Sequence, residues 1–329
     1  MKRREVIGVL GAAACGNALP ALAQQPPKVW RIGFLTAYGS RESSGGRVDA
    51  FLKGLRDLGY IEGKNINIEW RFAGSDYTQL PGLAAELVRE KADIIVASAT
   101  SATHAARKAT GTIPIIALGV GDPIGTGLAA SLARPGGNIT GFSIMSPDII
   151  PKRVELLLAI APQTKRIGVL GNPDTAGAYP INLKSVQIAG KTAGVDVLTF
   201  PARTPAEIER GFALMAKERI RAAIIFTEAL FIQQTKQITE LAIKHRLATM
   251  YFYRAFVDAG GLMSYGPDDT EAYRRGAIYV DKILKGAKPG ELPFEQPAKF
   301  HLVINGKTAK TLGLKISQEL LLRADEVIE

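Results

Sequence analysis

Trp30–Thr36 reads "WRIGFLT", and in the second half of the chain Arg166–Gly171 reads "RIGVLG". Each is a short apolar run of the buried-strand type. Behind the first, Val48, Phe51, Leu52 and Leu55 stand at i, i+3, i+4 and i+7, the spacing of an amphipathic helix. Behind the second, helix and strand patterns again alternate. A strand that is followed by a helix and then another strand pairs in parallel, because the helix carries the chain back across the sheet. The repeated opening therefore predicts two similar α/β lobes, each with a parallel sheet covered by helices on both faces.

The intervening sequence fits. "NINIEWRF" alternates as a strand does, and Leu80, Leu83, Ala84 and Leu87 mark a second helix. "DIIVAS", "IPIIAL" and "NITGFS" read as strands, and "HAARKAT" as a short helix. Ser146-Pro147 reads as a helix start, with serine as cap and proline in the first turn, and leads into Val154, Leu157 and Leu158. Thr204-Pro-Ala-Glu207 is a capping box. "AAIIFT", a helix around Ile238 and Leu241, and "ATMYF" continue the series. In the tail come the strand "GLMSYG", a helix opened by Asp268 and Glu271 and carrying Tyr273, Ala277, Val280 and Leu284, the break "KGAKPGELP", the strand "KFHLVIN" and the short helix "GKTAKTLG". The lobes join near residues 143–151, and a tail of this length allows part of it to return to the first lobe.

The N-terminus has the plan of a secretory signal peptide, residues 1–23. Lys2, Arg3 and Arg4 precede an apolar run from Val6 to Ala14 and a small-x-small site at Ala21-Leu-Ala23. The run is shorter than the ~20 residues of a membrane span, so an uncleaved anchor is disfavoured. Arg3-Arg4 also suits twin-arginine export. Cys15 is the single cysteine of the 329 residues, and Ala12 stands where a lipoprotein signal wants a branched apolar residue. Cleavage after Ala23 leaves a chain without disulfides, whose stability must come from its core. It retains 38 basic and 30 acidic side chains, a net +8, mixed along helix faces rather than clustered. That pattern is a solvated surface and not a nucleic-acid footprint.

Catalytic signatures are missing. His104, His245 and His301 stand far apart, with no cysteine partner and no metal-ligand spacing. There is no nucleophile elbow and no Walker A motif. Asp268-Asp269 at a helix start reads as a cap. Gly125-Thr-Gly127-Leu-Ala-Ala130 satisfies the letter of a dinucleotide fingerprint, but it stands several residues beyond its strand. That strand is the fourth of the lobe, where the fingerprint follows the first. No cofactor and no metal are expected.

Parallel sheets bind ligands outside the carboxyl ends of their strands. Two such lobes face each other across a cleft, lined by the loops Thr36–Ser40, Ser98–Ser101, Gly119–Asp122, Gly171–Asp174, Thr227–Glu228 and Phe252–Arg254. The candidate ligand-binding residues are Thr36, Tyr38, Ser98, Thr100, Ser101, Gly119, Asp122, Asn172, Glu228 and Tyr253. Hydroxyls at the start of a helix suit a carboxylate; Asp122 and Glu228 suit an ammonium group; Tyr38 and Tyr253 suit a ring or an apolar side chain. Each also has a plain structural role: Ser101 as helix cap, Asp122 as turn former before Pro123, the tyrosines as packing.

"FLKGLRDLGYIEGKNINIEWRFA", "LAAELVREKADIIVASAT", "GDPIGTGLAASLARPGGNITG" and the segment from "GGLMSYGPDD" to "LVINGKTAKTLGL" resemble the ABC-transporter substrate-binding proteins of the tryptophan/tyrosine-uptake type, over essentially the whole mature chain. The resemblance implies the type I periplasmic-binding fold: two Rossmann-like lobes with a hinge and a central ligand cleft. It implies residues 28–143 plus about 260–288 in lobe 1 and 146–257 plus about 290–329 in lobe 2. "LMSYG" and its helix would then belong to lobe 1 and the last strand to lobe 2. It further implies a periplasmic, monomeric receptor for an amino acid or other aromatic or carboxylate-bearing solute, working with a membrane permease and not itself inserted in the membrane. Two departures fall on presumed ligand contacts. Ala99-Thr-Ser101 stands where the family often has Gly-Thr-Pro, and Glu228 where it often has aspartate. A receptor feeding a signalling protein, and an exported α/β enzyme, are the rival readings.

Overall fold

A computed structural model describes residues 28–44, 46–175, 177–268 and 270–329. The signal peptide, Cys15 and Asp269 lie outside the described residues. The first lobe runs β1 (Trp30–Thr36), α1 (Arg47–Asp57), β2 (Ile66–Phe72), α2 (Leu80–Arg89), β3 (Ile94–Ser98), α3 (Thr100–Ala109), β4 (Ile115–Val120) and β5 (Ile139–Ser143). Its five strands are parallel in the order β2-β1-β3-β4-β5. The helical spacing read from the sequence is what buries: Val48, Phe51, Leu52 and Leu55 of α1 are all within the core, in one cluster with Phe34 and Val96. On the other face of the sheet the core is made of smaller side chains. There Ala84 and Leu87 of α2 pack in one cluster with Ala102 and Ala106 of α3.

The second lobe follows with α4 (Ile150–Ile160), β6 (Arg166–Gly171), α5 (Ala178–Ala193), β7 (Asp196–Pro201), α6 (Pro205–Lys217), β8 (Ala222–Ile225), α7 (Ala229–Gln233), α8 (Thr235–Lys244), β9 (Ala248–Tyr251), α9 (Arg254–Asp258) and β10 (Met263–Gly266). After it come α10 (Thr270–Leu284), β11 (His301–Asn305), α11 (Gly306–Leu312), α12 (Gln318–Arg323) and β12 (Glu326–Ile328). The sheet order is β12-β11-β10-β9-β8-β6-β7. Its five strands β6 to β10 repeat the 2-1-3-4-5 order of the first lobe, and β11 joins β10 antiparallel. The repeat heralded by "RIGFLT" and "RIGVLG" is thus a repeat of topology.

Three expectations need correction. The strand "MSYG" belongs to the second sheet, where Met263 and Ser264 pair with Met250 and Tyr251 of β9. Only the helix behind it returns. α10 lies on α1 so closely that a Cβ on Gly54 would stand 2.3 Å from the Arg274 carbonyl oxygen, and Tyr273 enters the first core. Likewise residues 289–295 stay with the first lobe, since the Ser143 N–H donates to the Glu295 carbonyl and the Glu295 N–H to that of Gly141. Among the described residues the chain therefore crosses between lobes three times: behind Ser143, behind Gly266 and behind Glu295. Finally, Ser146 is no helix cap. α4 starts at Ile150, and the Ser146 hydroxyl donates to Asn182 Oδ1 at 3.1 Å. Thr204 does cap α6, with the Glu207 N–H on Thr204 Oγ1, but Glu207 Oε2 accepts from the Arg203 N–H, one residue before the cap, instead of the Thr204 N–H of a full box.

Candidate functional site

The carboxyl ends of both sheets face each other and close around a cavity of about 40 Å³. That volume has room for a few waters, so a solute enters only if the lobes part. Of the residues singled out in the sequence, Tyr38, Thr100, Ser101, Gly119, Glu228 and Tyr253 line it.

The wall from the first lobe is the N-terminus of α3. The first helical N–H groups have no intrahelical acceptor, and the dipole makes this end attractive to anions. Thr100 Oγ1 accepts from the Gly121 N–H at 3.3 Å, which ties the β3 and β4 loops together. Ser101 Oγ is enclosed and without a hydrogen-bond partner among the described residues. Ala99, just before the helix, has φ +80° and ψ 157°, a region that costs a residue with a Cβ about 1–3 kcal/mol. A glycine would adopt this backbone without that cost.

The wall from the second lobe is Glu228. It is 6% exposed and caps α7, accepting from the Phe231 N–H at 2.9 Å. The Tyr77 hydroxyl donates to its other oxygen, and Asn172 Nδ2 reaches that oxygen at 3.5 Å. Burial pushes the carboxyl up to about 7, against the pull of these hydrogen bonds. The Tyr77 hydroxyl is pushed well above its ordinary value, first by burial and then by the Glu228 charge. It also accepts from the Ala229 N–H at 3.3 Å, so one tyrosine of lobe 1 latches onto two groups of lobe 2. A second interlobe contact stacks the Arg47 guanidinium over Tyr253 at 4.3 Å and Tyr38 at 5.6 Å from the ring centroids. Such contacts contribute more when desolvated, and Arg47 is buried.

Four singled-out residues do not line the cavity. Thr36 Oγ1 accepts from the Tyr38 N–H and so shapes that loop. Ser98 shares a 2.5 Å hydrogen bond with Tyr273 of α10. Asn172 acts through Glu228. Asp122 forms a turn: its carboxylate accepts from the Ile124 and Gly125 N–H groups at 3.0 and 2.8 Å. The fingerprint-like Gly125–Ala130 stretch accordingly folds as consecutive turns and bends. Sequence reasoning misses the site roles of Tyr77, Ser146, Thr175 and Asn182, which line the cavity, and of Arg47. Tyr77 follows the carboxyl end of β2, so the strand-end rule reaches it. Arg47 has no such signal, because it lies on a helix.

Beneath the second wall, Arg153 of α4 is 1% exposed and donates to the Ile225 and Met250 carbonyls at 3.0 and 3.2 Å. Burial lowers its pKa to about 9, which leaves it charged at neutral pH. It pins the carboxyl ends of β8 and β9, from which Glu228 and Tyr253 extend. Among the described residues no group of three or more His, Cys, Asp or Glu is placed to hold a metal ion, and no helix is long and apolar enough to cross a membrane.

Known proteins share this fold. The chain is similar to a tyrosine-binding protein of Clostridioides difficile, 29% identical over 267 residues, which are 80% of this chain and 76% of that one. A conserved domain protein from Vibrio cholerae superposes with a TM-score of 0.84 at 28% identity, covering 91% of this chain and 100% of the other. An ABC domain from Streptococcus pneumoniae in complex with L-Trp gives 0.83 at 27% identity, covering 91% and 99%. Residues 37–328 match the family described as ABC transporter substrate binding protein. With two parallel-sheet lobes, a cleft at their strand ends and a family match over nearly all the described residues, the protein belongs to the ABC transporter substrate binding protein family.

Proposed function

We propose that the chain is the periplasmic receptor of an ABC importer and that it closes on an amino acid with an aromatic or large apolar side chain. One observation carries the reading. The same cavity is walled on one side by a helix N-terminus with a Ser101 hydroxyl that has no hydrogen-bond partner among the described residues, and on the other by the Glu228 carboxyl. Walls of opposite polarity suit a zwitterion, its carboxylate toward α3 and its ammonium toward Glu228. Tyr38, Tyr77 and Tyr253 supply apolar faces with polar tips for the side chain. Relatives described by tyrosine and tryptophan binding support the aromatic class. The three interlobe crossings act as the hinge, and the closed form is what a membrane permease meets. The residues act as contacts and none as a nucleophile.

A thermal-shift screen of the chain from Gln24 onward against the amino acids tests this. An aromatic amino acid at 100 times its dissociation constant adds about 2.7 kcal/mol of stability. No shift with any amino acid, together with turnover of a chromogenic ester or a hydride acceptor, overturns it.

A further inference from the structure

At the pole of the second lobe away from the cleft, the starting ends of β6, β8 and β9 meet the turn behind α11 around a groove of about 840 Å³. Six cationic side chains line it: Lys165, Arg166, Arg219, Arg221, Arg246 and Lys315. Among the described residues no acidic side chain does. Arg166 is engaged with Glu218, at 3.8 Å from its carboxylate and 2.6 Å from its carbonyl. The other five make no ion pair among the described residues. The floor is apolar, with Ile160, Ala248 and Leu312.

Helix ends explain part of this charge. α4, α6 and α8 all finish at this pole, and a C-terminus favours nearby cations. Each end carries only about half a negative charge, so three ends offset roughly one and a half of the positive charges. Glu218 offsets one more. The excess stands in a concave site whose low-dielectric walls focus its field. The volume is within the range of small-molecule sites, roughly 300–1,000 Å³. Four of the six cations are arginines, whose planar fork matches phosphate oxygens two at a time.

We propose that this groove is a second ligand site, for a small anion that carries two or more phosphate charges on an apolar or ring-containing body. The phosphates meet the arginines and the body lies on the Ile160–Leu312 floor. The site is separate from the cleft and independent of what the cleft binds.

The test is calorimetric titration of the full mature chain with adenosine diphosphate and, separately, with inorganic pyrophosphate. The comparison is the double variant Arg221→Ala/Lys315→Ala, both exposed positions whose side chains support no core. Both probes bind the unaltered chain, adenosine diphosphate the more tightly because of the floor, and added salt weakens both. The variant loses about tenfold or more in affinity for each, as expected when charge-assisted contacts are removed, while its urea midpoint stays put. Absence of binding by either probe at about 1 mM, the range of the weakest specific affinities, overturns the proposal; so does equal affinity in the variant. Cosedimentation with phosphatidylglycerol vesicles, without binding of either soluble probe, overturns it in favour of a lipid surface.

Discussion

In the first lobe the cleft wall is the start of α3, where Thr100 and Ser101 offer hydroxyls and the helix offers its first N–H groups. In the second it is the start of α7, where Glu228 offers a carboxyl group that already caps the helix. Both walls follow the third-numbered strand of the same 2-1-3-4-5 order, β3 in one lobe and β8 in the other. One uses neutral groups and a backbone dipole, which are buried at small cost. The other buries an ionisable group, and the surroundings answer by raising its pKa to about 7 and placing donors around it. Topology fixes where the cleft lies; the residue at each strand end fixes the polarity of its wall.

Substitutions separate the two walls. Arg153→Ala removes the support of the second wall and leaves two strand-end carbonyls and a cavity in the core. It should cost about 3–5 kcal/mol, the range of large-to-small core changes, read as the urea midpoint. A loss under about 1 kcal/mol would mean that β8 and β9 hold themselves. Glu228→Gln keeps the shape of the wall and deletes its charge. Affinity for an aromatic amino acid should fall by about 1.5–3 kcal/mol, the contribution of a hydrogen bond to a charged group. Calorimetry checks this, and unchanged affinity would remove the ammonium from this wall.

The same variant isolates the pH dependence. An unfolded glutamate titrates near 4.5 and the buried one near 7, so the folded state favours the protonated form. Its contribution to stability is full below 4.5 and is lost as pH rises to 7. Unfolding curves across that interval should show the decline in the parent and a flatter profile in Glu228→Gln. Ser101→Ala touches the first wall and should cost about 0.5–1.5 kcal/mol of binding, the net worth of one neutral hydrogen bond. Asp122→Ala, in contrast, removes only a turn former. Ligand affinity should change within about twofold, well under the ~1.4 kcal/mol of a tenfold effect; a larger loss would move Asp122 into the site.

The strand and helix alternation is legible because buried parallel strands and amphipathic helices write different periods into the sequence. Tyr38, Thr100, Ser101, Gly119, Glu228 and Tyr253 reach the cavity because they stand just beyond strand ends, where the rule for open sheets places ligands. The misses have physical reasons. On sequence Asp122 suits a turn or an ammonium partner equally, and the turn shows only in the positions of the Ile124 and Gly125 N–H groups. Tyr77 and Arg47 of lobe 1 reach the cleft through contacts with Glu228 and Tyr253, more than a hundred residues distant in sequence. The resemblance places "MSYG" in the first lobe with the helix behind it, yet strand and helix part at Pro267, because β9 offers Met263 and Ser264 a ladder while α1 offers α10 an apolar face.

The two α/β lobes, the strand ends that form the cleft and the lack of clustered catalytic motifs follow from local periodicity and residue type, and these a linear chain carries in full. The three crossings, the latch of Tyr77 on Glu228, the burial that lifts the Glu228 pKa and the gathering of six cations at the far pole arise only on folding. Each depends on which distant surfaces exclude water from one another, and no local pattern in a chain records that.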